Sequence, residues 1–243
     1  MQHYIRRHNL NCYGWVRDLL GSTITSDDEI ITRVCIFNLV PYRSDPFVYE
    51  QRLESVALIQ HEVGTHVLTF HNGSRQPLQQ LRIGLADYDP LQEGIAVMSE
   101  YLVDGLTPNR LRTLAGRVIA GNALLEGGDF IEIFDLLHKN YGFSPNRAFN
   151  ITSRIMQGGG FLKDIIYLKG LVDLRKYLME GGDYEALLAG KFGIKHTTII
   201  RELTERNILK PGVLRPSYLL TENVTEKLNL IRNGLPLSQM ITT

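Results

Sequence analysis

The segment His61-Glu62-Val63-Gly64-Thr65-His66 places two imidazoles around a carboxylate within one predicted helix. A second carboxylate follows in Gln92-Glu93-Gly94, at the start of a later predicted helix. Two imidazole nitrogens and one carboxylate oxygen are a typical ligand set for catalytic zinc, and they leave the fourth coordination position open for water or a substrate carbonyl. The two segments therefore predict a metallopeptidase site that binds one Zn²⁺ per chain.

The spacing of the two histidines is one residue longer than in the common His-Glu-x-x-His helix. On a regular α-helix, side chains four residues apart point within about 40° of each other, whereas side chains five apart diverge by about 140°. A π-bulge absorbs one extra residue and would return His66 to the face of His61, and Gly64 tolerates such a distortion. The spacing therefore predicts a locally widened helix between His61 and His66.

The third ligand has two candidates on the same predicted helix. Glu93 opens that helix, where the helix dipole alone also favours an acidic residue. The small residues Gly94 and Ala96 follow it and would allow two helices to approach closely. Glu100 lies seven residues later on the same face and is either a ligand or an acceptor for an imidazole N–H. We prefer Glu93 as the ligand.

Composition excludes several function classes. The chain has 243 residues, 44% of them hydrophobic, and its 26 basic residues balance its 26 acidic ones. A neutral chain has no overall field for nucleic acid or for an anionic membrane surface. Its two cysteines are too few for a disulfide scaffold, and no apolar run is long enough for a membrane span or a signal peptide. We therefore expect a cytoplasmic protein, and its oligomeric state stays open.

The local patterns predict an α+β protein that is mostly helical. The β-branched, apolar residues 30–40, closed by Pro41, form the best strand candidate and suggest a small sheet. From Pro46 the pattern becomes helical and leads into His61. Residues 72–90 contain several glycines and prolines and predict a long connection. Further helices are predicted at about 91–106, 109–126, 129–140, 145–157, 161–180, 183–190, 196–207 and 221–232.

Three parts of the chain are distinguished. Residues 1–29 form an N-terminal arm, residues 30–192 the catalytic domain, and residues 193–243 a helical extension packed on the same domain. The stretch GKFGIKHTTIIRELTERNILKPG in this extension is similar to a helix-turn-helix or winged-helix fragment. Because a DNA reader needs a basic surface and this chain is neutral, we interpret the extension as a packing module, with nucleic-acid binding as a weaker alternative.

Three motifs resemble a known family. HEVGTHVLTFHNGSRQPL, GLADYDPLQEGIAVMSEYL and GGGFLKDIIYLKG are similar to the metallopeptidase family named for its QEGLA motif, which includes the tubulin tyrosine carboxypeptidases. The resemblance runs from about residue 38 to at least residue 192, and QEGLA reads QEGIA here. It implies a zincin-like core whose active-site helix carries HExxxH. It also implies a zinc carboxypeptidase in which His61, His66 and Glu93 bind the metal.

The resemblance implies Glu62 as the general base, which assists the attack of zinc-bound water on the last peptide bond of a peptide or protein. Arg75, Arg154 and Lys163 are candidates to bind the free C-terminal carboxylate, because guanidinium and ammonium groups suit that role best. Tyr167 is expected either to donate to the oxyanion or simply to pack. The alternative is a peptide-binding protein that keeps the peptidase scaffold without catalysis.

Overall fold

A computed structural model describes residues 55–158 and 163–241 of the chain. Every regular element within these two ranges is a helix, so the prediction of a mostly helical protein is confirmed. The predicted strand at residues 30–40 and the predicted arm at residues 1–29 lie outside the described residues. The small sheet and the zincin-like core therefore stay predictions.

Nine α-helices are described. They are α1 (residues 55–74), α2 (Gln80–Ile83), α3 (Asp89–Leu102), α4 (Pro108–Leu125), α5 (Phe130–Asp135), α6 (Pro145–Gln157), α7 (Ile165–Met179), α8 (Thr197–Glu205) and α9 (Glu222–Arg232). Helix α1 contains a π-helical turn at Glu62–Val67, and α5 continues into a second one at Leu136–Asn140. Short 3₁₀ helices occupy Glu185–Ala189, Ile194–His196, Ser217–Leu220 and Leu237–Gln239.

The starts of α4 and α5 follow from local sequence. The Thr107 hydroxyl oxygen accepts the backbone N–H of Arg110 at 3.1 Å, and Pro108 occupies the first turn, where no N–H is needed. At α5, Asp129 and Glu132 form a reciprocal capping box. These caps place both starts within a residue of the predicted positions.

The prediction of a long connection over residues 72–90 is wrong in part. Helix α1 continues to Ser74, and α2 lies within the remainder. The fully buried Asn72 side chain donates to the carbonyl oxygens of Leu188 and Leu214 and accepts the N–H of Leu214. Long-range bonds of this kind hold the segment as a packed corner, and sequence periodicity carries no sign of them.

Helix α3 lies at the centre of the larger hydrophobic core. Its residues from Leu91 to Leu102 are all buried, and it packs along α7 with α1 on another side. The core also includes residues on both sides of position 192, such as Leu187, Ile200 and Ile231. The predicted domain boundary at that position stays a prediction.

Two glycines determine how closely α3 and α7 approach. A Cβ atom on Gly94 would lie 2.4 Å from the backbone of Gly170, and a Cβ on Gly170 would lie 1.8 Å from the Pro90 carbonyl oxygen. The sequence predicted a close approach at Gly94, and the partner helix there is α7. The backbone contact fixes α3, and with it Glu93, against the core.

A second, smaller cluster joins α4, α5 and α6. It is formed by Ala120, Ile133, Leu137, Phe143, Ala148, Ile151 and Ile155. Gly116 on α4 leaves room for the rings and methyl groups of Phe143 and Ile151. The cluster holds α6 beside α4.

No described helix combines the length and apolar character that crossing a bilayer requires.

Candidate metal centre

The π-helical turn at Glu62–Val67 confirms the predicted widening of α1. It brings the two imidazoles together, with ring centroids 5.4 Å apart and ring planes at 77°. The Thr65 hydroxyl donates to the Gln60 carbonyl oxygen at 3.0 Å, which satisfies a backbone acceptor at the entry to the turn. A Cβ on Gly64 would lie 2.2 Å from the Gln60 side-chain oxygen, so glycine leaves room there for Gln60.

Glu93 reaches the two histidines from α3. Its Oε2 atom lies 3.6 Å from the Nε2 atoms of both His61 and His66. The carboxylate is 5% exposed, and Oε2 accepts no hydrogen bond within the described part of the chain. Burying a carboxylate oxygen without a partner costs folding free energy. A cation or a hydrogen-bond donor between the three residues would remove that cost.

The residues fit a divalent metal ion. One ligand atom from each of His61, His66 and Glu93 lies within 4.8 Å of the other two. Tetrahedral bonds of zinc length place neighbouring ligand atoms about 3.4 Å apart, close to the separations found here. Two imidazoles with one carboxylate, a donor set common to several first-row metals, leave a coordination position free.

A hydrogen bond from α3 orients the first imidazole. The His61 Nδ1–H donates to Glu100 Oε1 at 2.7 Å, which directs the Nε2 lone pair toward His66 and Glu93. Of the two roles considered for Glu100, the structure favours that of acceptor. Burial lowers the pKa of His61, but the hydrogen bonds to Glu100 and the proximity of Glu93 raise it to about 9 in the metal-free protein.

Arg110 holds Glu100 in place from the first turn of α4. Its Nε and Nη2 atoms donate to the two Glu100 oxygens at 3.0 and 2.9 Å. Burial alone would raise the pKa of Glu100, and the bonds from His61 and Arg110 lower it below its ordinary value. The sequence reasoning missed Arg110. Its position is nonetheless readable, because Thr107-Pro108 fixes the start of a helix only a short connection after the helix of Glu100.

The electrostatics of Glu93 follow the same pattern. Burial would raise its pKa, but the two imidazoles lower it overall, so the carboxylate is ionised. Lys163 adds a further positive group, with Nζ 3.5 Å from Glu93 Oε1 and a side chain that is 63% exposed. Lys163 is the predicted carboxylate-binding residue that the structure places beside the ligand group.

Tyr167 also lies at the centre. Its ring stacks on the His61 ring, with centroids 6.2 Å apart and planes at 22°. Burial and the nearby Glu93 carboxylate raise the pKa of the Tyr167 hydroxyl, so it remains a proton donor at neutral pH. Packing against His61 and hydrogen-bond donation use different parts of the side chain, the ring face and the hydroxyl group.

Glu62 follows His61 directly in the π-helical turn and is exposed. Its side chain is therefore accessible to solvent.

The other two predicted substrate residues pair with groups outside the three proposed ligands. Arg75 caps the C-terminal end of α1, about four helical turns from His61, and its Nε donates to His71 Nε2 at 2.9 Å. Arg154 on α6 donates from Nε to both Asp164 oxygens at 2.8 Å. Arg154 therefore pairs with Asp164, the residue that directly follows Lys163 in the chain.

The chain matches one family by sequence. The model of the family described as microtubule-associated tyrosine carboxypeptidase matches residues 46–235. This match covers most of the chain and includes both histidines, Glu93 and the two helices that support them. No curated protein and no solved structure gives a significant match.

Proposed function

This chain belongs to the microtubule-associated tyrosine carboxypeptidase family, and on that premise we propose that it is a zinc-dependent carboxypeptidase. It would remove the C-terminal residue of a peptide or protein. The observation that carries the metal part of this proposal is the buried Glu93 Oε2, unpaired among the described residues and equidistant from the two histidine nitrogens.

His61, His66 and Glu93 would hold the ion. Bound zinc supplies a Lewis acid that polarises the peptide carbonyl and makes water a better nucleophile. The Glu100–His61 hydrogen bond keeps the His61 Nε2 lone pair directed to the ion, and Arg110 keeps Glu100 ionised and in place.

Glu62 acts as the general base in this proposal. It takes one proton from the attacking water while the water oxygen bonds to the carbonyl carbon, and it returns that proton to the departing nitrogen as the C–N bond breaks. The products are a shortened chain with a new carboxylate and a free amino acid. The Tyr167 hydroxyl donates to the carbonyl oxygen as it gains negative charge.

Lys163 binds the terminal carboxylate of the substrate in this proposal. Its Nζ atom lies beside Glu93, and its exposed side chain can turn toward an incoming anion. A carboxylate that lies one residue from the scissile bond must be held close to the metal ligands. This requirement favours Lys163 over Arg75, which lies at the far end of α1.

We place the protein in the cytoplasm, where its two cysteines would remain reduced. The zincin-like core is part of the proposal as well, with its sheet expected from residues 30–40.

The test compares three variants with the wild type by elemental analysis and by mass spectrometry of peptides with free C-termini. We expect about one zinc per chain in the wild type and the release of one terminal residue. Glu62→Gln should keep the zinc and lose turnover, whereas Glu93→Ala should lose the zinc. Glu185→Gln, in an exposed ion pair with Arg215, serves as the matched control and should change neither.

Two results would contradict the proposal. In the first, the wild-type protein binds no zinc even when zinc is supplied, which would show that it has no zinc centre. A zinc-loaded wild type that binds peptides without cleaving them is a peptide-binding protein on a peptidase scaffold.

A further inference from the structure

A small depression with an unusual number of guanidinium groups lies between α4 and α6. Its volume is about 220 Å³. It is lined by Thr113 and Arg117 from α4 and by Arg147, Asn150, Ile151 and Arg154 from α6. The α6 residues recur at helical spacing, so one face of that helix points into the depression. No step of the proposed reaction uses Arg117 or Arg147.

Two of the three guanidinium groups pair with the same carboxylate. Arg154 and Arg117 both donate to Asp164, at 2.8 and 3.2 Å. Arg147 donates instead to the neutral side-chain oxygen of Asn109 at 2.7 Å. Among the described residues, Asp164 is the only carboxylate that pairs with any of the three. The depression therefore carries more positive than negative charge.

Arg117 has an unsatisfied donor at this place. Its side chain is 16% exposed, and its Nε–H is buried with no hydrogen-bond acceptor among the described residues. Burial lowers the pKa of the Arg117 guanidinium, and the neighbouring Arg154 lowers it further. A buried cation beside a like charge, with an unused N–H, is an arrangement that an added anion would stabilise.

We propose that Arg117, Arg147 and Arg154 form an oxyanion-binding pocket that accepts one carboxylate or phosphate group. Guanidinium groups present paired N–H donors in a plane, which match the oxygens of such groups better than a lysine does. The volume suits a single small group. Asn150 and Thr113 provide further polar atoms at the wall of the pocket.

The pocket adjoins the metal centre. Asp164, which pairs with Arg117 and Arg154, directly follows Lys163, and Lys163 contacts Glu93. Two kinds of molecule can provide the oxyanion that the pocket binds. It belongs either to an acidic side chain of a peptide that extends from the metal centre or to a free small anion from solution.

The first experiment measures the binding of inorganic phosphate to the full chain by ¹⁵N NMR of the arginine Nε–H signals. We expect a saturable shift of the Arg117 signal. Arg147→Gln and Arg154→Gln should each weaken phosphate binding about tenfold, the loss of one charge-assisted hydrogen bond. Arg201→Gln, an exposed arginine on α8, is the control and should bind phosphate as the wild type does. No saturable shift, or equal binding by all four proteins, overturns the proposal.

The second experiment separates the two sources and rests on the proposed function. The KM values of matched peptides with Glu or Gln near the C-terminus are compared in the wild type and in Arg147→Gln. A preference for Glu that shrinks in Arg147→Gln assigns the pocket to the substrate. Phosphate binding without such a preference assigns it to a free anion. Because the NMR readout requires no cleavage, failure of the proposed activity is distinguishable from failure of the pocket.

Discussion

Replacing Glu100 with glutamine should weaken zinc binding about 10- to 100-fold. Oε1 of this carboxylate accepts hydrogen bonds from His61 Nδ1–H and from Arg110 Nη2. Oε2 accepts a hydrogen bond from Arg110 Nε. An uncharged amide has one accepting oxygen and must direct its NH₂ group at a donor. Either His61 or Arg110 then loses its partner, and the His61 ring is no longer held with Nε2 toward the ion.

This expected loss corresponds to about 1.4–2.8 kcal/mol of binding free energy, since each tenfold change is about 1.4 kcal/mol. A second effect falls on stability. The Glu100 side chain is 6% exposed, and breaking a buried pair costs about 3–5 kcal/mol. Arg110 is 29% exposed and can be partly rehydrated, so we expect a loss of about 2 kcal/mol in the free energy of unfolding.

The assay is a competition titration in which a chelator of known affinity removes zinc from wild-type protein and from the variant at neutral pH. Urea unfolding of the same samples gives the stability. Glu185→Gln is the control, because its pair with Arg215 is about half exposed and should be worth less than about 1 kcal/mol. If Glu100→Gln retains zinc as tightly as this control, Glu100 does not orient the His61 imidazole.

Two further predictions concern His61 and Gly170. The pKa of His61 is raised from 6.5 to about 9 in the metal-free fold, so its stabilisation is complete below about pH 6.5 and is lost as the pH rises through 9. The free energy of unfolding of the metal-free wild type, relative to His61→Gln, should therefore fall by about 3 kcal/mol over that range, and a flat difference would contradict the raised pKa. Gly170→Ala would place a Cβ 1.8 Å from the Pro90 carbonyl oxygen and should cost about 2 kcal/mol or more, together with zinc affinity, because α3 must move. The exposed neighbour Lys169→Ala should change stability by less than about 0.5 kcal/mol, and equal effects of the two variants would refute this packing argument.

Local chemistry made part of the candidate site predictable. The five-residue interval between His61 and His66 is incompatible with a shared face on a regular helix, so a π-helical turn followed from geometry alone. Thr107 and Pro108 marked the start of α4 for an equally local reason. In both cases the information lay within a few consecutive residues.

Other features depend on contacts between distant parts of the chain. Thr107-Pro108 indicates where the helix of Arg110 begins, but the bond between Arg110 and Glu100 appears only in the fold. Asn72 looks like a turn residue, yet its amide bonds backbone groups more than 100 residues later. Arg154 was predicted to bind the substrate carboxylate because of its guanidinium group, whereas its pairing with Asp164 is a tertiary contact. The spacing of residues along one helix does not predict these contacts between separate elements.

The π-helical turn also sets the rotational phase of everything that follows it in α1. One additional residue rotates the rest of the helix by about 100° relative to an uninterrupted one. Leu68 and Asn72, both fully buried, point inward only with that rotation. Deleting Gly64 together with the π-helical turn would create the shorter His-Glu-x-x-His spacing and would leave His66, Leu68 and Asn72 on their present faces, because the turn absorbs one residue. The two spacings therefore present the same face to the interior, and the extra residue is compatible with the packing of α1 only together with its π-helical turn.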